Sequence, residues 1–137
     1  MRLFTDGASR GNPGEAAVGL VLQDEQGRLL ARRHRYLGRA TNNVAEYVAL
    51  ARGLRLAAEF NPSELEVCLD SNLVVEQVNL RWKVKDENLR VLHGEVRKAM
   101  ADFAKITIRY IPRERNTEAD ALANLALDEE MARRKRA

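Results

Sequence analysis

The 137-residue sequence predicts an α/β fold: a five-stranded mixed sheet, three antiparallel strands and then parallel strands four and five, with helices on both faces. Three observations lead there. Three strand-like runs open the chain with only tight turns between them, which favours antiparallel neighbours. From residue 43 onward, helical periodicity alternates with short apolar strands. Strands one, four and five are therefore joined through helices, and such crossovers give parallel, right-handed pairs.

Met1 to Asp6 is the first predicted strand, ending at Asp6-Gly7. The segment Arg10-Gly11-Asn12-Pro13-Gly14 follows, with Pro13 and Gly14 at the centre of a type II turn, because proline presets φ and glycine accepts a positive φ. Ala16 to Asp24 is the second strand, Glu25-Gln26-Gly27 a tight turn, and Arg28 to Leu37 the third strand. A helix over Asn43 to Phe60 places Val44, Tyr47, Val48, Ala51, Leu54 and Ala58 at helical spacing, and Asn61-Pro62-Ser63 stops it. Glu64 to Leu69 is strand four. A short helix from Ser71 to Asn79 follows, then a longer one from Asp86 to Phe103 with Leu89, Leu92, Val96 and Met100 on one face. Ile106, Ile108 and Tyr110 alternate in strand five. The last helix starts near Asn116 and carries Ala119, Leu122, Ala123 and Leu125. Residues 1–130 form the domain and 131–137 a basic C-terminal tail containing Arg133-Arg134-Lys135-Arg136.

The composition, 45% hydrophobic and 31% charged, suits one globular domain with a real core. A net charge of +3 does not by itself mark a nucleic-acid binder, but its distribution is uneven: Arg28, Arg32, Arg33, Arg35 and Arg39 cluster in one stretch. This stretch and the basic tail read either as a solvated face and a frayed tail or as nucleic-acid contacts. The single cysteine, Cys68, excludes a disulfide framework or a zinc-ligand set within the chain and fits a buried core thiol. No apolar stretch reaches membrane-spanning length and the N-terminus does not read as a signal peptide, so a cytoplasmic protein without a membrane partner is expected.

Four carboxylates carry the chemistry: Asp6, Glu46, Asp70 and Asp120. Each sits where a predicted element begins or ends, in the phrases FTDGASRGNPG, TNNVAEY, LDSNLVV and RNTEADALA. Taken singly, each has a local explanation. Asn43-x-x-Glu46 and Thr117-x-x-Asp120 resemble capping boxes, Asp70-Ser71 can cap the following helix, and Asp6-Gly7 can be a turn. Taken together, they lie on elements that the topology sends to one place. Asp6 and Asp70 close strands expected to be parallel neighbours, at the switch point where open α/β sheets form their crevice. Glu46 and Asp120 lie in the first turns of helices that reach the same edge. Converging acids repel, and divalent cations relieve that repulsion. Two ions roughly 4 Å apart, held by such ligands, stabilise the attacking and leaving oxygens of a phosphoryl displacement.

In this order and spacing, TDGASRGNPG, TNNVAEY, LDSNLVVEQV and NTEADALANLA resemble type 1 ribonuclease H, and the likeness covers Leu3 to about Leu127. The resemblance implies a ribonuclease H-like fold and an endonuclease that hydrolyses the RNA strand of RNA–DNA hybrids with two Mg2+ or Mn2+ ions, leaving 3′-hydroxyl and 5′-phosphate ends. It places Asp6, Glu46, Asp70 and Asp120 at the metal-site positions, the first and third as central ligands. Glu46 also falls beside the substrate 2′-hydroxyl. Gly7, Ser9, Asn12, Asn42, Asn43 and Asn72 take the minor-groove positions, consistent with short polar residues and glycine reading a group that both donates and accepts.

The chain resembles the branch of that family without a loop histidine and without a basic protrusion. The loop reads Pro112-Arg113-Glu114-Arg115-Asn116, where Arg113 and Arg115 can hold phosphate but cannot exchange a proton near neutral pH. His34 and His93 read as structural. Trp82, Lys83 and Lys85 are placed to stack on and pair with the DNA strand, or else Trp82 covers the core edge. A monomer with no obligate protein partner is expected. Two other functions share the fold: a non-catalytic hybrid-binding module, which a missing carboxylate would have favoured, and a DNA-acting nuclease or recombinase, against which the Asn42-Asn43 pair and the GNPG turn argue.

Overall fold

A computed structural model describes residues 1–136. The strands are β1 (Arg2–Gly11), β2 (Gly14–Gln23), β3 (Leu29–Ala40), β4 (Leu65–Leu69) and β5 (Ile106–Tyr110). The helices are α1 (Asn42–Ala58), α2 (Asn72–Val78), α3 (Glu87–Met100) and α4 (Thr117–Arg136), with a 3-10 turn over Arg113–Arg115. The sheet order is β3-β2-β1-β4-β5. β1 pairs antiparallel with β2, and β2 with β3; β4 is parallel to both β1 and β5. The mixed five-stranded sheet expected from the sequence is therefore present, with its change of direction at β1.

The main core lies between the sheet and α1 to α3. It is built from Leu3, Leu20, Leu22, Tyr47, Leu50, Leu54, Val67, Leu69, Val74, Val96 and their neighbours. On the opposite face α4 covers a smaller cluster around Ala17, Ala126 and Leu127. Tyr47 is fully buried, and its hydroxyl donates to Gln77 Oε1 at 2.7 Å, which satisfies the phenol inside an apolar layer. No helix of the described residues is long and apolar enough to cross a membrane.

Several boundaries differ from the sequence reading. β1 does not end at Asp6 but continues to Gly11, because Gly7 to Gly11 pair residue by residue with Gly14 to Val18 of β2. Its glycines and polar residues look like a turn locally, yet the partner strand holds them extended. The Gly11–Gly14 pair closes the hairpin, so the turn centres on Asn12-Pro13, joined by a cis bond, and not on Pro13-Gly14. β3 runs on to Ala40, three residues past Leu37, with bulges opposite Ala16/Ala17 and Leu22/Gln23. The basic run Arg133–Arg136 forms the last turn of α4. Arg134 reaches Glu15 Oε1 at 3.0 Å and the Tyr36 hydroxyl at 2.7 Å, which fastens that end of the helix to β2 and β3.

Candidate active site

The parallel pairing of β1 with β4 covers only Arg2–Phe4 against Glu66–Cys68. Past that point β1 continues alone beside β2, while β4 ends at Leu69. The divergence opens a crevice, with Asp6 on its β1 wall and Asp70 directly after β4. Glu46 enters from the second turn of α1, and Asp120 from the first turn of α4. One carboxylate oxygen each from Asp6, Glu46 and Asp70 lie within 4.8 Å of one another. Asp120 lines the same cleft, whose volume is about 540 Å³, together with Gly7, Ser9, Arg10, Asn42, Asn43, Ser71, Arg113 and Asn124.

Capping does not account for these acids. The N-cap of α1 is Thr41, whose hydroxyl accepts from the Val44 amide at 3.2 Å. Glu46 instead accepts from the Gly7 amide across the crevice at 2.5 Å. Ser71 caps α2 by accepting from the Val74 amide, which leaves the Asp70 carboxylate free of that cap. At α4, Asn116 donates through Nδ2 to the Thr5 carbonyl at 2.9 Å, and the Asp120 amide donates to the Asn116 carbonyl. Asn124, one turn on, donates to Asp120 Oδ1 and to the Asp120 carbonyl. Glu46 and Asp120 are thus held by a backbone amide and a side-chain amide, and among the described residues none of the four carboxylates forms an ion pair with lysine or arginine.

Two close approaches make the geometry possible. A Cβ on Gly7 would lie 2.2 Å from the Ala45 carbonyl carbon and 2.4 Å from the Glu46 amide nitrogen. β1 therefore meets the start of α1 backbone to backbone. A Cβ on Gly19 would lie 2.0 Å from the Ala119 carbonyl oxygen, so β2 admits the first turn of α4 equally closely. These contacts draw Glu46 and Asp120 to Asp6.

The electrostatics follow from that packing. Asp6 and Glu46 are buried. Burial, then the charges of Glu46 and Asp70, hold the Asp6 carboxyl far above the usual carboxylate range. Burial also raises Glu46, against the opposing Gly7 amide. Asp70 is raised by burial as well, partly offset by a hydrogen bond from Asp6 and by the Arg113 charge. Buried like charges without counter-ions are costly. The donor set consists of hard oxygens only, close enough to share an ion, and it fits a divalent cation.

A stability prediction follows directly. With their folded values raised, these acids bind more protons in the folded than in the unfolded chain. Metal-free stability should then fall as pH rises from about 4, the unfolded carboxylate range. Each unit of net shift corresponds to about 1.4 kcal/mol, roughly 3–5 °C in Tm for a domain of this size. Thermal melts in chelator from pH 4 to 9 should show the decline, and a divalent cation should reverse it at neutral pH. A metal-free Tm that rises across this range would contradict the crowding.

The other expected contacts divide. Gly7, Ser9, Asn42 and Asn43 line the cleft. Asn12 stands at the hairpin tip and accepts from the Asn42 amide at 3.1 Å, so it ties the turn to the start of α1. Asn72 is exposed at the start of α2, outside the cleft lining. Arg113 lines the cleft, whereas Arg115 lines a separate small cavity beside Phe4 and Val21, because the 3-10 turn sends the two arginines to different sides. Trp82, Lys83 and Lys85 are all exposed on the segment between α2 and α3. Trp82 is 48% exposed, so about half of its surface is open to a stacking partner. His34 pairs with Glu129 at 2.6 Å and His93 with the Gln77 carbonyl at 2.9 Å; neither lines the acid cleft. The sequence reading missed Gly19, Asn116 and Asn124. The spacing Asn116-x-x-x-Asp120-x-x-x-Asn124 on one helix face was the available signal.

The family described as reverse transcriptase-like matches residues 4–126. Ribonuclease HI of Halobacterium salinarum is 45% identical over 126 residues, 92% of this chain and 63% of that protein. The crystal structure of RNase H1 from that archaeon superposes with a TM-score of 0.91 at 44% identity, covering 93% of this chain and 97% of the other. A bifunctional protein of Mycobacterium tuberculosis is 46% identical over 124 residues, 90% of this chain; the chain spans about a third, 34%, of that relative's length. LC11-RNase H1, solved in complex with an RNA/DNA hybrid, superposes with a TM-score of 0.91 at 38% identity over 95% of this chain and 98% of the other.

Proposed function

The chain belongs to the reverse transcriptase-like family, and from that membership and its acid cleft we propose that it is an endonuclease cutting the RNA strand of RNA–DNA hybrids. The observation that supports this most is the approach of Asp6, Glu46 and Asp70 carboxylate oxygens to within 4.8 Å of one another in an open cleft. Ribonuclease H relatives at 44–45% identity supply the reaction class, and the hybrid-bound relative supplies the substrate class.

Asp6, Glu46, Asp70 and Asp120 would hold two ions, Mg2+ or Mn2+, and the ions' chemistry there would be to activate water for attack and to neutralise charge on a departing 3′ oxygen. The chain's own groups do the rest. The Gly7 amide orients the Glu46 carboxylate, leaving its second oxygen for an ion or a 2′-hydroxyl. Asn42, Asn43 and Ser9 present short polar groups to the minor groove, where a hydroxyl that donates and accepts distinguishes RNA from DNA. Arg113 keeps a permanent positive charge beside Asp70 and can hold the scissile phosphate, but it exchanges no proton. Trp82, Lys83 and Lys85 supply stacking and phosphate contacts to the DNA strand. Arg115 and Asn72 are weaker candidates, since they stand outside the cleft lining.

The test uses labelled RNA–DNA hybrid, RNA–RNA and DNA–DNA duplexes with and without magnesium. The expected result is internal cleavage of the RNA strand of the hybrid, abolished by excess chelator and restored by magnesium or manganese. Cleavage of DNA–DNA as fast as hybrid would replace this reading with a DNA-acting one, and cleavage in chelator would remove the metal from it.

A further inference from the structure

The arginine-rich stretch of β3 serves no purpose in the acid cleft. Strand alternation sends Arg33 and Arg35 to the same face as Ala31, which packs into the core with α1. There they meet Arg52 and Arg55 of α1. The four guanidinium groups surround a concavity of about 300 Å³, floored by Val18, Leu20 and Leu56 and lined by a single carboxylate, Glu59.

Among the described residues, none of the four arginines forms a salt bridge. Arg33 donates only to the carbonyl of Arg32, at 2.8 Å. Seven arginines elsewhere in the fold do find a carboxylate: Arg2, Arg10, Arg28, Arg81, Arg109, Arg133 and Arg134 are ion-paired. Arg52 is partly desolvated, and that together with the charges of Arg35 and Arg55 disfavours its protonated form. Like charges gathered around one hollow cost stability unless an anion joins them.

We propose that this concavity is a binding site for consecutive phosphates, separate from the carboxylate cleft. Guanidinium groups bind phosphate oxygens in pairs of parallel hydrogen bonds, and four of them converging on one hollow match a run of phosphates better than a single anion. The phosphates belong to a nucleic-acid strand or to a free nucleotide. Placement favours the strand: Arg52 and Arg55 lie six and nine residues beyond Glu46 on the same helix, roughly 9 and 14 Å along its axis. A strand leaving the acid cleft along α1 passes this hollow.

The experiment is done in chelator, where no cleavage occurs, so its outcome is independent of the nuclease reading. It compares wild type, Arg35→Ala/Arg52→Ala, and the control Arg32→Ala/Arg39→Ala, which removes equal charge from β3 outside the hollow. One arm follows Tm with tripolyphosphate; the other follows binding of a short single-stranded DNA across a salt series. Tripolyphosphate should raise the Tm of wild type and control but not of Arg35→Ala/Arg52→Ala. Alternatively or in addition, that variant should bind the oligonucleotide about tenfold more weakly, with a log–log salt slope flatter by about 1.4 for two lost contacts. A response in the first arm alone assigns free oligophosphate, and in the second alone strand phosphates. Arg33→Ala/Arg55→Ala, removing the other pair, should reproduce the loss. If both double variants match the control in both arms, the site does not exist.

Discussion

Asp70→Asn should fold normally and lose nearly all hybrid cleavage, by a factor of about 10³ or more, equivalent to ~4 kcal/mol of transition-state stabilisation. The asparagine keeps the shape and removes the charge that an ion needs, on a residue whose oxygen lies within 4.8 Å of those of Asp6 and Glu46. Asp6→Asn should behave alike. In chelator both variants should melt above wild type at neutral pH, because one of three crowded acids, Asp6 and Glu46 buried and Asp70 half-buried, is gone. Asp120→Asn should lose less, since its carboxylate lies outside that tight cluster and is held to α4 by Asn124. The measurements are turnover on labelled hybrid and thermal melts of the same preparations. An Asp70→Asn protein with near-normal turnover would exclude Asp70 from the chemistry. His34→Ala and His93→Ala should change turnover only as far as they change folding, since neither ring lines the acid cleft.

The second large effect belongs to a residue with no side chain. Gly7→Ala should cost about 2–4 kcal/mol of stability and reduce turnover by about 10²-fold. Its Cβ would fall 2.2–2.4 Å from backbone atoms of Ala45 and Glu46, and backbone cannot rotate aside. The start of α1 must retreat, taking Glu46 away from Asp6 and breaking the Gly7 to Glu46 hydrogen bond. A contact made only to substrate would instead raise KM and leave Tm unchanged. An alanine variant with wild-type Tm would therefore refute the packing role and return Gly7 to the minor-groove role that the motif implies.

The split between legible and hidden features runs along the range of the forces involved. Hydrophobic periodicity is local, so the 3.6-residue spacing of Tyr47, Ala51, Leu54 and Ala58 and the alternation of Ile106, Ile108 and Tyr110 were readable directly. Chain connectivity then implied the parallel and antiparallel pairs. The order of the four acidic phrases was equally readable, because each acid sits within a short motif. The far half of β1 was not, since Gly7 to Gly11 have no strand propensity of their own and are extended only through pairing with β2.

Amino-acid order alone determined the strand and helix sequence, the switch at β1 and the identity of the acids. Only the tertiary structure decided which local role each acid gave up. Thr41 took the cap that Asn43 would have made with Glu46 as its partner, and Ser71 the cap that Asp70 would have made. Gly7 and Gly19 let two helices approach close enough to crowd the carboxylates. The 3-10 turn parted Arg113 from Arg115, and β3 folded two of its arginines against two from α1. Each of these outcomes depends on distances of a few ångströms between residues tens of positions apart, and side-chain spacing along the chain carries no record of them.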